Sequence, residues 1–104
     1  MRFPSFPPPL FAGNLGQVTE YLLELYVARA NAVAIDQDAQ RVRLAAEEHT
    51  REGTPVRYLR SIFVPEDETC FLIFEAGSAD AVKAVAERAS LSFDHVATAI
   101  EKPS

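Results

Sequence analysis

Four segments of the chain show the two-residue periodicity of β-strands, and their order along the sequence constrains the fold more than any other feature. Residues 19–28 alternate between a purely apolar set and a mixed set, as a half-buried strand does. Residues 56–64 and 70–75 are apolar and β-branched runs joined by a polar turn that begins with Pro65, which is typical of a hairpin. Residues 93–101 alternate again. The sequence therefore predicts four strands.

Two segments between these strands carry apolar residues at helical spacing. Asp36 and Asp38 begin the first, and acidic residues suit a helix start because its free amides carry a partial positive charge. Gly53 is a stop signal for this helix, and Ser78 is a good N-cap for the second. The apolar stripes consist of Ile35, Ala39, Val42, Ala46 and His49 in the first helix and Val82, Val85, Ala86 and Ala89 in the second.

The order strand, helix, strand, strand, helix, strand is that of the ferredoxin-like βαββαβ fold. The prediction is an α+β domain with a four-stranded antiparallel sheet and both helices on one face. At 104 residues, the chain is long enough for one hydrophobic core. Four of its seven prolines fall within residues 1–16. Residues 1–18 are therefore predicted to be a proline-rich tail, and residues 19–102 are predicted to be the domain.

Charge and cysteine content argue against several classes of function. The net charge is −5, and nucleic acid is not an expected partner because its binding needs clustered cations. No segment approaches the ~18 consecutive apolar residues of a membrane span, and the first residues lack the apolar core of a signal peptide. We expect no membrane association. The single cysteine, Cys70, fits a reducing compartment, so a cytoplasmic protein is predicted.

The two helices can cover only one face of the predicted sheet, because their stripes are mostly alanine and valine. If Leu23 and Leu25 face the helices, then Leu22, Glu24 and Tyr26 face away from them. A second face this apolar usually meets a partner. The prediction is a homodimer in which two sheets face each other, a dimeric α/β barrel. By weaker alternation, the other strands add to this face Tyr58, Arg60, Ile62, Phe71, Ile73, Glu75 and His95.

Five side chains of the second face are predicted to line a ligand site between the two sheets. Glu24 is the lone charge between residues 21 and 28, so it needs a partner if it is buried. Arg60 is the candidate partner, either in a pair that sets strand register or in a ligand site. His95 can act as a general base or as a ligand. The hydroxyls of Tyr26 and Tyr58 can orient a bound molecule.

The chain also carries the short motifs Tyr21-Leu22-Leu23-Glu24, Val56-Arg57-Tyr58-Leu59-Arg60-Ser61, Pro65-Glu66-Asp67, Phe74-Glu75-Ala76 and Arg88-Ala89-Ser90-Leu91. Through these motifs, residues 19–101 resemble a family of small ferredoxin-like proteins labelled nickel-responsive or nickel-binding. The resemblance implies a dimer formed through the sheets, with nickel as a possible ligand. The cysteine that this family often has in its third strand falls at Leu72, and the glycine after its second helix falls at Ser90.

The residues themselves favour nickel less than the resemblance does. Nickel prefers imidazole and other nitrogen or oxygen donors. The chain has only two histidines, His49 and His95, and they lack the spacing of a paired ligand motif. Weak or absent nickel binding is therefore predicted, and the cofactor is left unknown. His49 lies on an apolar stripe near a helix end and is predicted to be a packing or capping residue.

Three kinds of function stay open at this point. The first is a small dimeric binding protein that holds a small ligand or metal ion in a cavity between the sheets. The second is a cofactor-independent enzyme that uses His95 or Glu24 as a base in the same cavity. The third is a regulatory or interaction protein. The sequence contains neither a glycine-rich phosphate loop nor a nucleophile elbow around Ser61.

Overall fold

The computed structural model describes residues 19–100 and confirms the predicted order of four strands and two helices. The predicted tail, residues 1–18, and the last two residues of the predicted domain lie outside the described residues. No helix of the described part is long and apolar enough to cross a membrane. The elements are β1 (Thr19–Tyr26), α1 (Ala34–Arg51), β2 (Val56–Val64), β3 (Thr69–Ala76), α2 (Ala79–Arg88) and β4 (His95–Ala99).

The four strands form one antiparallel sheet in the order β2-β3-β1-β4, so β3 and β1 are central and β2 and β4 are edges. Leu23 of β1 lies opposite Leu72 of β3 on one side and Val96 of β4 on the other. Directly paired residues share a face because side chains alternate along every strand. The register therefore assigns each strand residue to the face that carries the helices or to the opposite face.

The two helices end in similar ways. The residue after each helix cap has a left-handed backbone, with φ of 109° at Gly53 after α1 and 57° at Ser90 after α2. In the second case the amide of Leu91 donates to the carbonyl of Ala86 at 2.9 Å, as in a Schellman motif. This turn brings Leu91 back into the core. Ser78 also accepts a hydrogen bond at the start of α2, so the predicted N-cap is confirmed.

The hydrophobic core lies between the sheet and the two helices. Leu23, Leu72 and Phe74 are fully buried on the sheet side, and Val42 and Val82 are fully buried on the helix side. Truncation of a buried leucine to alanine costs about 2–5 kcal/mol, because transfer free energy and packing contacts are both lost. Alternate residues of these strands point away from this core and form the candidate site.

Candidate functional site

We call the sheet surface opposite the helices the free face, and the register defines its rows. One row consists of Arg60, Ile73, Leu22 and Ala97, in the order of the strands. The next row consists of Ile62, Phe71, Glu24 and His95. These rows place Glu24, Arg60 and His95 on the same surface, as the sequence predicts.

Tyr58 is not on this surface, and its predicted place among the lining residues of the free face is wrong. Tyr58 lies opposite Phe74, whereas Arg60 lies opposite Ile73, so β2 advances by two residues while β3 advances by one. Leu59 is therefore the extra residue of a β-bulge. Strict alternation puts Tyr58 and Arg60 on one face, but the bulge separates them.

The Tyr58 side chain packs with the helix layer instead. Its ring meets the ring of Phe74 edge to face, with centroids 5.7 Å apart. The guanidinium of Arg43 in α1 lies over the Tyr58 ring, 5.2 Å from its centroid. Tyr58 is partly buried against the core cluster. These contacts make it a packing residue that connects β2 to α1.

Glu24 contacts His95 rather than Arg60, so the predicted partner within the chain is wrong. Glu24 and His95 are direct neighbours across β1 and β4, and His95 Nε2 lies 3.5 Å from Glu24 Oε1. The side chains are 34% exposed for Glu24 and 59% exposed for His95. Arg60 is two strands away on β2, beyond β3, and has no carboxylate within 4.0 Å among residues 19–100.

Tyr26 occupies the free face one row beyond Glu24, but its hydroxyl is already engaged. It donates to Glu68 Oε1 at 3.2 Å, and Glu68 Oε2 accepts the backbone N–H of Arg29 at 2.9 Å. The hydrogen bond to Glu68 raises the pKa of Tyr26. The Arg29 amide lowers the pKa of Glu68. Tyr26 therefore ties the end of β1 to the β2–β3 turn.

Apolar side chains surround the polar residues of the free face. Ile62 is 45% exposed, Leu22 and Phe71 are partly exposed, and Ile73 is buried. None of these four belongs to the core cluster between the sheet and the helices. The face therefore combines a carboxylate, an imidazole and a guanidinium with an apolar surface that the helices do not use.

A second charged pair lies at the far end of the free face, and sequence reasoning missed it. Arg57 Nη2 lies 2.8 Å from Glu75 Oε1, and the two residues are direct cross-strand neighbours. Opposite charges in adjacent strands are the sequence signal for such a pair. The sequence alone does not show that Arg57 and Glu75 are cross-strand neighbours, because this depends on the register of β2 and β3.

The described residues of one chain do not make a nickel site. No three His, Cys, Asp or Glu residues between 19 and 100 lie close enough to hold a metal ion. Glu24 and His95 supply two donors. Cys70 is in the core, where burial, with a smaller contribution from Asp38, raises the pKa of its thiol to about 11. His49 Nδ1 is buried without a hydrogen-bond partner, consistent with its predicted packing role.

The helix layer carries a shallow, open depression of about 450 Å³ between α1 and α2. It contains none of the predicted site residues. One of its walls is Arg88, which is tied to Glu52 at 2.8 Å. Leu44 is 51% exposed at its edge. The depression therefore offers neither the predicted chemistry nor a free charge, and the free face is the better candidate site.

Comparison with protein families matches residues 26–98 to the family described as "Nickel responsive protein SCO4226-like". Among solved structures, the crystal structure of SCO4226 from Streptomyces coelicolor A3(2) is similar, with a TM-score of 0.67 and 18% sequence identity. The similarity covers 81% of this chain and 99% of that chain. At this identity the likeness concerns the fold alone. Comparison with curated protein sequences finds no match.

Proposed function

Because the chain belongs to the nickel-responsive, SCO4226-like family, we propose that it is a homodimeric binding protein that holds a small ligand or metal ion between two facing sheets. The observation that carries this proposal is the composition of the free face. Ile62, Phe71 and Leu22 form an apolar surface outside the core, and Glu24 and His95 lie within it. Apolar surface of this kind is stabilised by a partner.

A second copy of the same chain is the partner that we propose. A protein of this size buries only about two-thirds of the surface of its unfolded chain, so a further interface adds substantial stability. Most soluble oligomers are homo-oligomers with a two-fold axis, and such an axis places the same surface on both sides of the interface. The two free faces would then enclose a space lined by Glu24, Arg60 and His95 of both protomers.

The lining determines which ligands such a space can accept. One protomer presents a carboxylate, an imidazole and a guanidinium, so a small molecule with both polar and apolar parts is a suitable ligand. A metal ion would need further donors, for example from the second protomer, because residues 19–100 of one protomer supply only the Glu24 and His95 side chains at this place. Tyr26 can contribute only if its hydroxyl leaves Glu68.

A second candidate function is a cofactor-independent enzyme that uses the same space. The contact of 3.5 Å between His95 and Glu24 favours it, because a carboxylate beside an imidazole can orient the ring for proton transfer. A third candidate is a regulatory or interaction protein whose proline-rich tail reaches another chain. The enzyme would be favoured if the protein converts a bound small molecule and if His95→Ala abolishes that conversion while the variant still dimerises.

Two further parts of the proposal concern the whole chain. Residues 19–102 form the folding unit, residues 1–18 are a tail, and the protein acts in the cytoplasm. Deletion of residues 1–16 should therefore lower the melting temperature by less than about 5 °C, the shift that corresponds to about 1 kcal/mol in a domain of this size. A larger decrease would place part of the folding unit in those residues.

Sedimentation velocity from low to high micromolar concentration tests the dimer. The wild-type chain should be a dimer, and Ile62→Glu should make it monomeric because it adds a charge to the apolar part of the free face. Leu44→Glu is the matched control, since Leu44 is similarly exposed but lies on the helix layer. A monomeric wild-type chain, or equal effects of the two substitutions, would contradict the proposed interface.

Native mass spectrometry of the full chain tests the ligand. A retained mass should appear on the dimer, be absent from the Ile62→Glu monomer and decrease in Glu24→Gln. A mass retained by the monomer would place the site elsewhere. Titration with Ni²⁺ distinguishes the metal from other ligands. We expect weak or absent binding, and a tight site that disappears in His95→Ala would identify nickel as the ligand.

A further inference from the structure

We infer that Arg60 of each protomer pairs with Glu24 of the other protomer across the two-fold axis of the dimer. This inference rests on the proposed dimer and specifies how its two sheets are aligned. The dimer would contain two such pairs, because each protomer supplies one arginine and one glutamate.

An inventory of the charged groups on the free face leads to this pairing. Arg57 and Glu75 neutralise each other at 2.8 Å. Among residues 19–100, the Glu24 carboxylate has only the His95 imidazole within 4.0 Å, at 3.5 Å, and no arginine or lysine. In the same part of the chain, Arg60 has no carboxylate within salt-bridge distance. Glu20, which is exposed at the start of β1 on the same face, also has no cation within 4.0 Å among these residues. One guanidinium is therefore left over, with Glu24 and Glu20 as its candidate partners.

Neither group needs a protein partner in the isolated protomer. Arg60 is exposed and Glu24 is about one-third exposed, so water solvates both. A second sheet over this face would remove much of that water. A charge that is buried without a partner is strongly unfavourable, and burial of a well-paired charge is much less so. A face-to-face dimer is therefore stable only if the alignment of the sheets provides each group with an opposite charge.

The register shows which alignment does so. Arg60 and Glu24 are two strands apart, about 10 Å, and one row apart, about 7 Å. The midpoint between them lies over β3, between Phe71 and Ile73. A two-fold axis at this midpoint, in the plane of the interface and perpendicular to the line that joins Arg60 and Glu24, exchanges the two positions. Each arginine then faces the glutamate of the other copy.

The same axis gives the interface a favourable composition. The Phe71 side chains of both copies meet at its centre, beside the buried Ile73, and the charged pairs flank them, which is the usual arrangement of an apolar centre and a polar rim. Glu20, the other acidic residue of β1 on this face, is an alternative partner for Arg60. That alignment would move the axis toward Glu75 and put the Arg57–Glu75 pair near the centre, so it is less favourable.

Charge reversal tests the inference in the full-length chain. Arg60→Glu and Glu24→Arg should each raise the dissociation constant of the dimer by at least ~100-fold, because every dimer contains the altered pair twice. The double variant, E24R with R60E, should return the dissociation constant to within about tenfold of the wild-type value. The variant that combines E20R with R60E is the matched control and should remain weak.

Mixing of the two single variants distinguishes pairing between chains from pairing within one chain. In a mixed dimer, the introduced carboxylate of R60E faces the introduced guanidinium of E24R, and the native Glu24 of the first chain faces the native Arg60 of the second. Mixed dimers should therefore form where neither variant dimerises alone, and native mass spectrometry identifies them by their mass. Pairing within one chain would not produce this rescue.

Two results would overturn the inference and leave the proposed dimer standing, and a third would overturn both. If the wild-type chain is a dimer but neither the double variant nor the mixture recovers dimerisation, the pairing is wrong and the dimer stands. Rescue by E20R would replace Glu24 with Glu20. A monomeric wild-type chain would remove both proposals. Circular dichroism of the dilute variants shows whether they fold. If a charge-reversal variant does not fold, the neutral variants Arg60→Gln and Glu24→Gln, alone and combined, give an equivalent double-mutant cycle.

Discussion

The two faces of the sheet come from the same strands but meet different requirements. On the helix face, Leu23 and Leu72 are fully buried within the single chain, so their burial contributes to folding of the protomer itself. On the free face, their sequence neighbours Glu24 and Phe71 remain partly accessible and lie outside the core cluster. The contrast indicates that the helix face is complete in one chain, whereas the free face is available for a partner or ligand. The effects of substitutions on the helix face should therefore not depend on protein concentration, whereas the effects of substitutions on the free face should.

The largest expected difference between the two faces is in the free energy of unfolding after truncation of Leu72 or of Phe71. Leu72→Ala should lower the free energy of unfolding by about 2–5 kcal/mol at any protein concentration, because it opens a cavity in the core. Phe71→Ala should have a smaller effect in dilute protein and a larger effect at concentrations where the proposed dimer forms. Urea unfolding at two protein concentrations measures both. Equal losses in dilute protein would mean that the free face also belongs to the core of the protomer.

Thiol chemistry provides the next largest contrast. Burial raises the pKa of Cys70 to about 11, so at pH 8 only about one thiol in a thousand is ionised. Because the pKa is raised, the reactive thiolate becomes abundant only as the pH approaches that value. Cys70 should react with iodoacetamide ~100-fold or more slowly than an ordinary thiol at pH 8, and unfolding should abolish the difference.

The control for this experiment is a cysteine on the other face. The thiol introduced by Ile62→Cys should react rapidly in dilute protein and more slowly as the proposed dimer forms, whereas the reaction rate of Cys70 should not depend on protein concentration. Mass spectrometry of the labelled peptides resolves the two rates. Fast labelling of Cys70 in the native chain would show that the core opens readily.

The smallest expected difference concerns the two tyrosines that the sequence placed together. Tyr58→Leu should cost about 1–2 kcal/mol of unfolding free energy, because it removes the edge contact with Phe74 and the contact with Arg43. Dimerisation should be unchanged. Tyr26→Leu, on the free face, should cost about 0.5 kcal/mol or less, since it loses one exposed hydrogen bond. If Tyr58→Leu instead weakens dimerisation while stability is unchanged, its assignment to the helix face fails.

The sequence by itself determined the order of elements and much of the division into faces. Alternation in β1 separated Leu23 and Leu25 from Leu22 and Glu24 because that strand is regular and unbroken. The signals at helix boundaries were also local. Ser78 caps α2 through its own side chain, and Gly53 takes the left-handed conformation after α1. Such features depend on neighbours along the chain, so a single sequence contains the information.

Only the tertiary structure decided the position of Tyr58 and the neighbour of Glu24. The bulge at Leu59 reverses the alternation of β2, and a bulge is a property of two paired strands, which no single strand reveals. In the same way, the strand order puts His95 beside Glu24 and places β3 between Glu24 and Arg60. The sequence gives the charge and polarity of each residue. Which charges meet depends on how strands that are far apart along the chain pair with each other, and only the tertiary structure shows that pairing.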